Sequence, residues 1–413
     1  MEQYISLSYA LNTFYILMSG ALVMWMAAGF SMLEAGLIRT KNTTEILTKN
    51  VALYSIACIA FLITGYALMY GSDKGGFWVN FGVLLNDENS VGSVIAAADD
   101  PISFSNYADF FFQVVFVATA LSIVSGAVAE RMKLTAFLIF SVVMAGFIYP
   151  VQGFWNWGGG FLSEAGFYDF AGSGTVHLAG AAAALAGVLL IGPRLGKYNK
   201  NGISPIPGAN LPLATLGTMI LWMGWLGFNG GSQLAIADIE NANAVAKIFV
   251  NTNTAAAGGV IGSLLLSKLI FKKIDLTMLL NGALSGLVVI TADPYSPSVL
   301  LTLILGLFAG AIVFLSIIAL DKLKVDDPVG AISVHGIAGV LGLLFVPLAN
   351  EKASFLSQLY GIVCIFSWVF LTSIVFWLLI KKLVGLRVTK EEELQGLDLI
   401  ECGMEAYPEF TTR

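Results

Sequence analysis

Eleven apolar stretches, most of them about twenty residues long, constrain this chain more than any other feature. They run over 10–33, 51–70, 108–129, 134–153, 173–192, 211–232, 248–271, 275–292, 298–320, 329–347 and 355–384. A helix needs roughly 20 apolar residues to cross the ~30 Å hydrocarbon core of a bilayer. Inside that core every backbone polar group must be satisfied within the protein, which leaves helices as the spanning element for segments of this length. Of the 413 residues, 57% are apolar and only 12% charged, against roughly 25% charged in soluble domains. The 44 glycines suit helix packing in lipid, where small residues let backbones approach. The expectation is an all-α integral membrane protein of eleven transmembrane helices.

Basic residues set the expected orientation. With the N-terminus outside, the outer segments hold only Lys74, Lys247 and Lys352. The other 18 of the 21 Lys and Arg, from Arg39 to Arg413, fall on inner loops and an inner tail. That asymmetry supports N-terminus out and C-terminus in. No basic segment precedes the first apolar run, so no cleavable signal is expected. The division is a membrane domain over 1–384 and a polar tail over 385–413. The tail is too short for an enzymatic output module. Cys58, Cys364 and Cys402 do not read as a disulfide framework. Loop 71–107 carries Asp87, Glu88, Asp99 and Asp100, and reads as a solvated outer loop.

One motif occurs twice. Asp169-Phe-Ala-Gly-Ser-Gly-Thr-Val-His177 opens the fifth stretch and Asp327-Pro-Val-Gly-Ala-Ile-Ser-Val-His335 the tenth. Five spans apart, the copies enter from opposite faces, as in an inverted repeat of helices 1–5 and 6–10. His177 and His335 are the only histidines, and each falls inside an apolar stretch. Eight residues at 1.5 Å per residue would put each about 12 Å below its own face, so the pair meets near the midplane. Ionisable groups there are costly and mark a functional path. Two facing imidazoles could ligate a haem iron. They could instead bond to each other and pass a proton or small solute. No feature announces the wide cleft that haem needs, and no cofactor is expected.

Aromatic side chains gather toward the outer face. Phe112 and Phe116 share one helical face, as do Trp225, Phe228 and Ser232; Trp157 precedes a Gly-Gly-Gly run. Two readings stand beside each other: an interfacial belt, or a cage attracting a cation through the ring quadrupoles. Ser232 would accept a hydrogen bond from an N–H cation. Asp169 reads as an N-cap that also adds negative field near such a site. Glu34 and Glu130 lie at helix ends beside Arg39 and Arg131, where boundary ion pairs are expected.

At these residues the chain resembles the Amt/Mep/Rh ammonium transporter family, on its Amt branch, over nearly its whole length. The matching segments are Gly36–Asn42, Gly126–Arg131, Trp157–Gly160, Asp169–Gly172 with His177, Phe228–Ser232, Asp326–Pro328 with His335, and, in the tail, Gly396–Asp398 and Gly403–Pro408. The resemblance implies eleven helices per subunit and a homotrimer with one pore in each, in the cell membrane. It implies an outer ammonium site on Phe116, Trp157 and Ser232, a gate of Phe116 over Phe228, and twin histidines His177 and His335 below it. Asp169 matches the family's structural aspartate. It further implies possible blockade by a PII-type signalling protein at the cytosolic face. The expected mechanism is capture of ammonium, deprotonation near the gate, passage of ammonia and relay of the proton through the histidines, with net charge crossing. A passive ammonia channel and a membrane-embedded ammonium sensor are the alternatives. Span one departs from some members, which carry aromatics where this chain reads Met32-Leu33-Glu34-Ala35-Gly36. That departure falls at the inner mouth.

Overall fold

The computed structural model describes residues 2–97 and 102–410. Asp99 and Asp100 of the acidic loop, and Arg413 of the tail, lie outside them. The described residues are mostly helical, with one short antiparallel strand pair, Tyr198–Asn199 with Gly202–Ile203.

Among the described residues, nine helical stretches are long and apolar enough to cross a membrane. They are α1 (Glu2–Leu37), α2 (Thr40–Tyr70), α3 (Asn106–Ala127), α4 (Leu134–Glu164), α5 (Ser173–Ile191), α6 (Leu211–Gly231), α7 (Ile239–Phe271), α9 (Val299–Lys322) and α11 (Phe355–Leu383). Two shorter apolar helices, α8 (Leu276–Thr291) and α10 (Ile332–Leu348), fall on the remaining two apolar stretches of the sequence. Large apolar side chains face outward along the bundle, among them Leu7, Phe14, Trp25, Leu265, Leu300 and Leu356. A water-soluble surface rarely exposes so much contiguous apolar area.

Most helix ends fall within a few residues of the apolar runs, because caps and runs coincide there. Ser105, Asn210, Ser298 and Ser354 each accept a backbone N–H of the first turn of the helix that follows. The exceptions are α1, α2 and α7, which begin before their apolar runs, and α4, which runs on past residue 153 to Glu164. In α7 the cap is Asp238, whose side chain accepts from Asn241 N, and the polar first turns extend the helix ahead of the apolar segment. At 36 residues α1 spans about 54 Å, well beyond a bilayer core, so part of it stands outside the hydrocarbon.

Small residues set the closest packing. A Cβ on Gly217 of α6 would collide with the backbone of Leu33 on α1, and one on Gly259 of α7 with the carbonyl of Gly282 on α8. Backbone contact of this kind maximises dispersion and excludes lipid between helices. Helices α3, α5 and α8 are the most deeply enclosed, and in α10 the turn that carries His335 is buried with them.

The chain after α11 turns back under the bundle. Leu386 O accepts from Lys133 N and Val388 N donates to Arg131 O. Asp398 Oδ1 accepts from Glu45 N at 2.8 Å, and Leu397 N donates to Asn42 Oδ1 at 2.9 Å. The tail therefore lies against the face that carries most of the basic residues.

Candidate functional site

The two Asp-to-His segments fold alike. In each, the chain makes a tight turn at a glycine with positive φ, Gly172 at 109° and Gly330 at 81°. That conformation is costly for any residue with a Cβ. Asp169 and Asp327 fold over these turns. Asp169 Oδ1 accepts from Gly172 N (3.2 Å), and Oδ2 from Gly174 N (3.0 Å), Thr175 N (2.8 Å) and Thr175 Oγ1 (2.9 Å). Asp327 accepts from Gly330 N (3.1 Å) and Ile332 N (2.7 Å). These bonds satisfy the donors at the start of a helix, which otherwise stay unpaired.

Each histidine then lies in a π-helical turn, Ser173–Leu178 or Ile332–Ile337. Such turns insert an extra residue and re-aim the side chains around them. The straight rise of eight helical residues from aspartate to histidine does not hold, because the first residues form the capped turn and only the later ones advance along the helix. The rings nevertheless meet. His177 and His335 stack at 5.1 Å between centroids, with Nδ1 to Nδ1 at 3.2 Å, and are 0% and 3% exposed. At that contact one Nδ1 carries the proton and the other accepts it, so the two imidazoles are different tautomers at any moment. Nitrogens in hydrogen-bond contact leave no room for an iron and its macrocycle between them. His177 Nε2 has no hydrogen-bond partner among the described residues.

Above the pair the aromatic side chains form a continuous column. Phe228 stacks on His177 at 5.4 Å, Phe116 lies over Phe228 at 4.0 Å, and Trp157 meets Phe116 edge to face at 6.0 Å. Phe112 flanks Phe116 at 4.7 Å. Phe116 and Phe228 are 1% and 0% exposed, whereas Trp157 and Ser232 are half-buried. The Trp157 indole N–H donates to Asp169 O at 2.9 Å, tying the ring to the capped turn. Ser232 Oγ donates to Phe228 O at 2.8 Å, which leaves its lone pairs to accept.

Trp225 does more than share a face with Phe228. It stacks on His177 at 5.1 Å, its N–H donates to Thr291 Oγ1 at 2.8 Å, and Thr291 in turn contacts Asn229 Oδ1 at 3.1 Å. Thr291 falls in no motif of the sequence, and Asn229, though inside the Phe228–Ser232 segment, has no role that the sequence assigns. Phe30 of α1 approaches His335 at 6.2 Å. On the opposite side from the aromatic column, a cavity of about 480 Å³ is lined by Lys197, Asp275, Asn281, Asp321, Asp327 and Val329, among others. A small cavity of about 10 Å³ shares Asn281 and Val329 with it and reaches His335.

The expected boundary ion pairs are half right. Glu130 binds Arg39 at 2.6 Å and also faces Arg194 at 3.5 Å. Arg131 instead donates to the carbonyls of Ala127, Ala129 and Asp326, because its buried guanidinium sits among the unpaired carbonyls at the end of α3. Glu34 pairs with no arginine. It turns inward and accepts from Ser125 Oγ at 2.7 Å and Asn50 Nδ2 at 3.2 Å. In the loop after α9, Asp326 is held by Arg194 through Nε and Nη2, both at 2.9 Å. Burial pushes the Asp326 carboxyl up, but the Arg194 hydrogen bonds and charge outweigh it and hold it at about 2.

Comparison with known proteins agrees on one family. The model of the Ammonium Transporter Family matches residues 14–407. The chain is 40% identical to ammonium transporter Amt2 of Archaeoglobus fulgidus, over 96% of this chain and 88% of that protein. It is 35% identical to ammonium transporter Amt1 of Haloferax mediterranei, over 97% and 80%. Among solved structures, a protein titled Sensor Amt Protein superposes with a TM-score of 0.86 at 34% identity, covering 96% of this chain and 99% of that one. Mep2 of Candida albicans superposes with a TM-score of 0.83 at 25% identity, covering 97% and 91%. The capped turns, the paired histidines and the aromatic column thus sit in a multi-pass membrane protein that belongs to the Ammonium Transporter Family.

Proposed function

We propose that this protein carries ammonium across the cell membrane by splitting it. Ammonium is captured between the aromatic faces of Phe116 and Trp157 and the Ser232 hydroxyl, loses its proton near the gate of Phe116 over Phe228, and crosses as ammonia. The proton passes separately through His177 and His335, and net charge moves.

One observation carries this reading: two buried imidazoles in hydrogen-bond contact directly beneath a column of aromatic rings. The rings exclude a hydrated ion, because stripping a cation of water in an apolar slot is expensive. Aromatic quadrupoles and a hydroxyl acceptor attract a cation that has N–H groups to donate. Potassium has charge but no proton to release, so the path discriminates by chemistry as well as by size. The imidazole pair offers a donor and an acceptor side by side, which suits a relay.

The same reading takes eleven membrane spans, with α8 and α10 as the short ones, N-terminus outside and C-terminus inside. It divides the chain into a membrane domain, 1–384, and a cytosolic regulatory tail, 385–413. The matched capped turns support an inverted repeat of helices 1–5 and 6–10. Ammonium and ammonia are the substrates, and the working unit is a homotrimer with one path per subunit. A PII-type signalling protein is the proposed partner at the cytosolic face, where it would cover the 480 Å³ vestibule.

The test is an ammonium concentration jump on protein reconstituted in a supported membrane. A transient current that vanishes in His177→Ala supports the reading. Uptake of ammonium without current would refute net charge transfer and leave a passive ammonia channel.

A further inference from the structure

We propose that Glu34 of α1 is the inner end of the proton path: it takes the proton from His335 and delivers it to the inner vestibule. This inference rests on the relay reading above and adds a residue to it.

Glu34 is 1% exposed, and its two oxygens are treated differently. Oε2 accepts both available hydrogen bonds, from Ser125 Oγ and Asn50 Nδ2. Oε1 is buried with no partner among the described residues. A carboxylate oxygen left unpaired in an apolar interior costs free energy, so such a group calls for an explanation. The explanation lies in what it shares. Glu34 and His335 line the same small cavity, together with Ser122, Asn281 and Phe30. At about 10 Å³ the cavity is the size of one water, and its four polar side chains supply the two to four partners a buried water needs. Asn281 and Val329 line both this cavity and the 480 Å³ vestibule, so only their side chains stand between the two.

The step balances without any further reagent. An N–H bond of protonated His335 breaks as a bridging water takes the proton; that water releases one of its own protons to Glu34, where an O–H bond forms. The carboxylic acid then releases the proton to vestibule water and the carboxylate is restored. One positive charge moves inward per cycle. The charged groups acting on Glu34 from α2 are Lys49 and Glu45, which pair with each other at 3.5 Å. Ser125 and Ser122 face it from α3, Asn281 from α8 and His335 from α10.

The opposing explanation is that Glu34 only ties α1 to α2 and α3. Glu34→Gln separates the two. Its amide oxygen can keep both bonds now made by Oε2, but the amide neither takes up nor releases the proton. The relay predicts an ammonium-evoked current reduced by roughly 10²-fold, as for loss of a general base, with an unchanged thermal midpoint. Wild-type current in Glu34→Gln from about pH 5 to about pH 8 would overturn the assignment, because an obligatory acid would be felt somewhere in that range. Should the Gln variant fail to fold, Glu34→Asp answers instead: it keeps the acid and shortens its reach, so a smaller current with a displaced pH profile supports the relay and a wild-type profile refutes it. The two failures are distinguishable. If wild-type protein passes no current, the transport reading falls; if it does, and His177→Ala abolishes it while Glu34→Gln does not, only the role of Glu34 falls.

Discussion

Replacing Asp169 with alanine removes four hydrogen bonds at once. Its carboxylate is 4% exposed and accepts from Gly172, Gly174 and Thr175 backbone N–H groups and from the Thr175 hydroxyl. Each buried donor left unsatisfied costs about 1–3 kcal/mol. Thr175 Oγ1 can rotate to a new acceptor, and the frayed turn can relax, so the net loss is set by the three backbone donors and comes to at least about 3 kcal/mol. The turn also positions two parts of the path: His177 N donates to the carbonyl of Gly172 inside it, and the Trp157 indole donates to Asp169 O. Asp169→Ala is therefore expected to lower the thermal midpoint of the detergent-solubilised protein and to abolish ammonium current. Asp169→Glu should recover little, because an added methylene pushes the carboxylate past the N–H groups. Tryptophan fluorescence during thermal unfolding and current from the same preparation give the two readouts. An alanine variant with wild-type midpoint and wild-type current would refute both the cap and its coupling to the path.

Trp157→Leu should weaken ammonium capture by about three- to thirty-fold in half-saturation, the worth of a cation–π contact of roughly 0.5–2 kcal/mol, and an unchanged half-saturation would leave Trp157 as interfacial packing. Asp326 contributes to stability in a definite pH window. Its folded pKa of about 2 lies below the unfolded value near 3.9, so the contribution is present above about pH 4 and is lost as pH falls towards 2. Asp326→Asn should thus be less stable than wild type by about 2 kcal/mol at pH 7, with the gap closing at acid pH; a gap independent of pH would refute the Arg194 pairing as its source. Orientation is checked by Ser93→Cys and Asn201→Cys, both exposed positions, on whole cells with an impermeant thiol reagent. Labelling at position 93 alone is expected, and labelling at 201 alone would invert the topology.

The helices were largely legible because the apolar runs are long and bounded by capping residues; positions 106, 211, 299 and 355 follow directly from Ser105, Asn210, Ser298 and Ser354. Less visible were the polar first turns of α7, where no hydrophobic period marks the helix and the Asp238 cap alone signals its start. The meeting of His177 and His335 could be anticipated from their rarity and from the repeated Asp-to-His spacing. Its geometry could not, since π-helical turns leave no composition signature and depend on the packing of α5 against α10. The i,i+4 and i,i+3 spacing foretold the aromatic faces, and Phe112–Phe116 and Trp225–Phe228 indeed touch. What spacing could not convey was contact between helices: Phe116 on Phe228, or Trp225 on His177. Glu34 is the sharpest case. A carboxylate near a helix end next to an arginine reads as a boundary ion pair, and only the rotation of α1 about its axis decides that it faces Ser125 and the cavity while Glu130 takes Arg39.

The central claim, that the cation is stripped of its proton and the histidine pair carries it, is tested most directly by the ratio of potassium to ammonium current in wild type, His177→Asp and His335→Asp reconstituted in the same lipid. A carboxylate in place of either imidazole makes the path more polar and negative, so intact cations can follow it. The account predicts no potassium current in wild type and a clear potassium current in the aspartate variants, with ammonium current kept or raised. Active variants whose ratio equals that of wild type would contradict it, because selectivity would then not depend on taking the proton away.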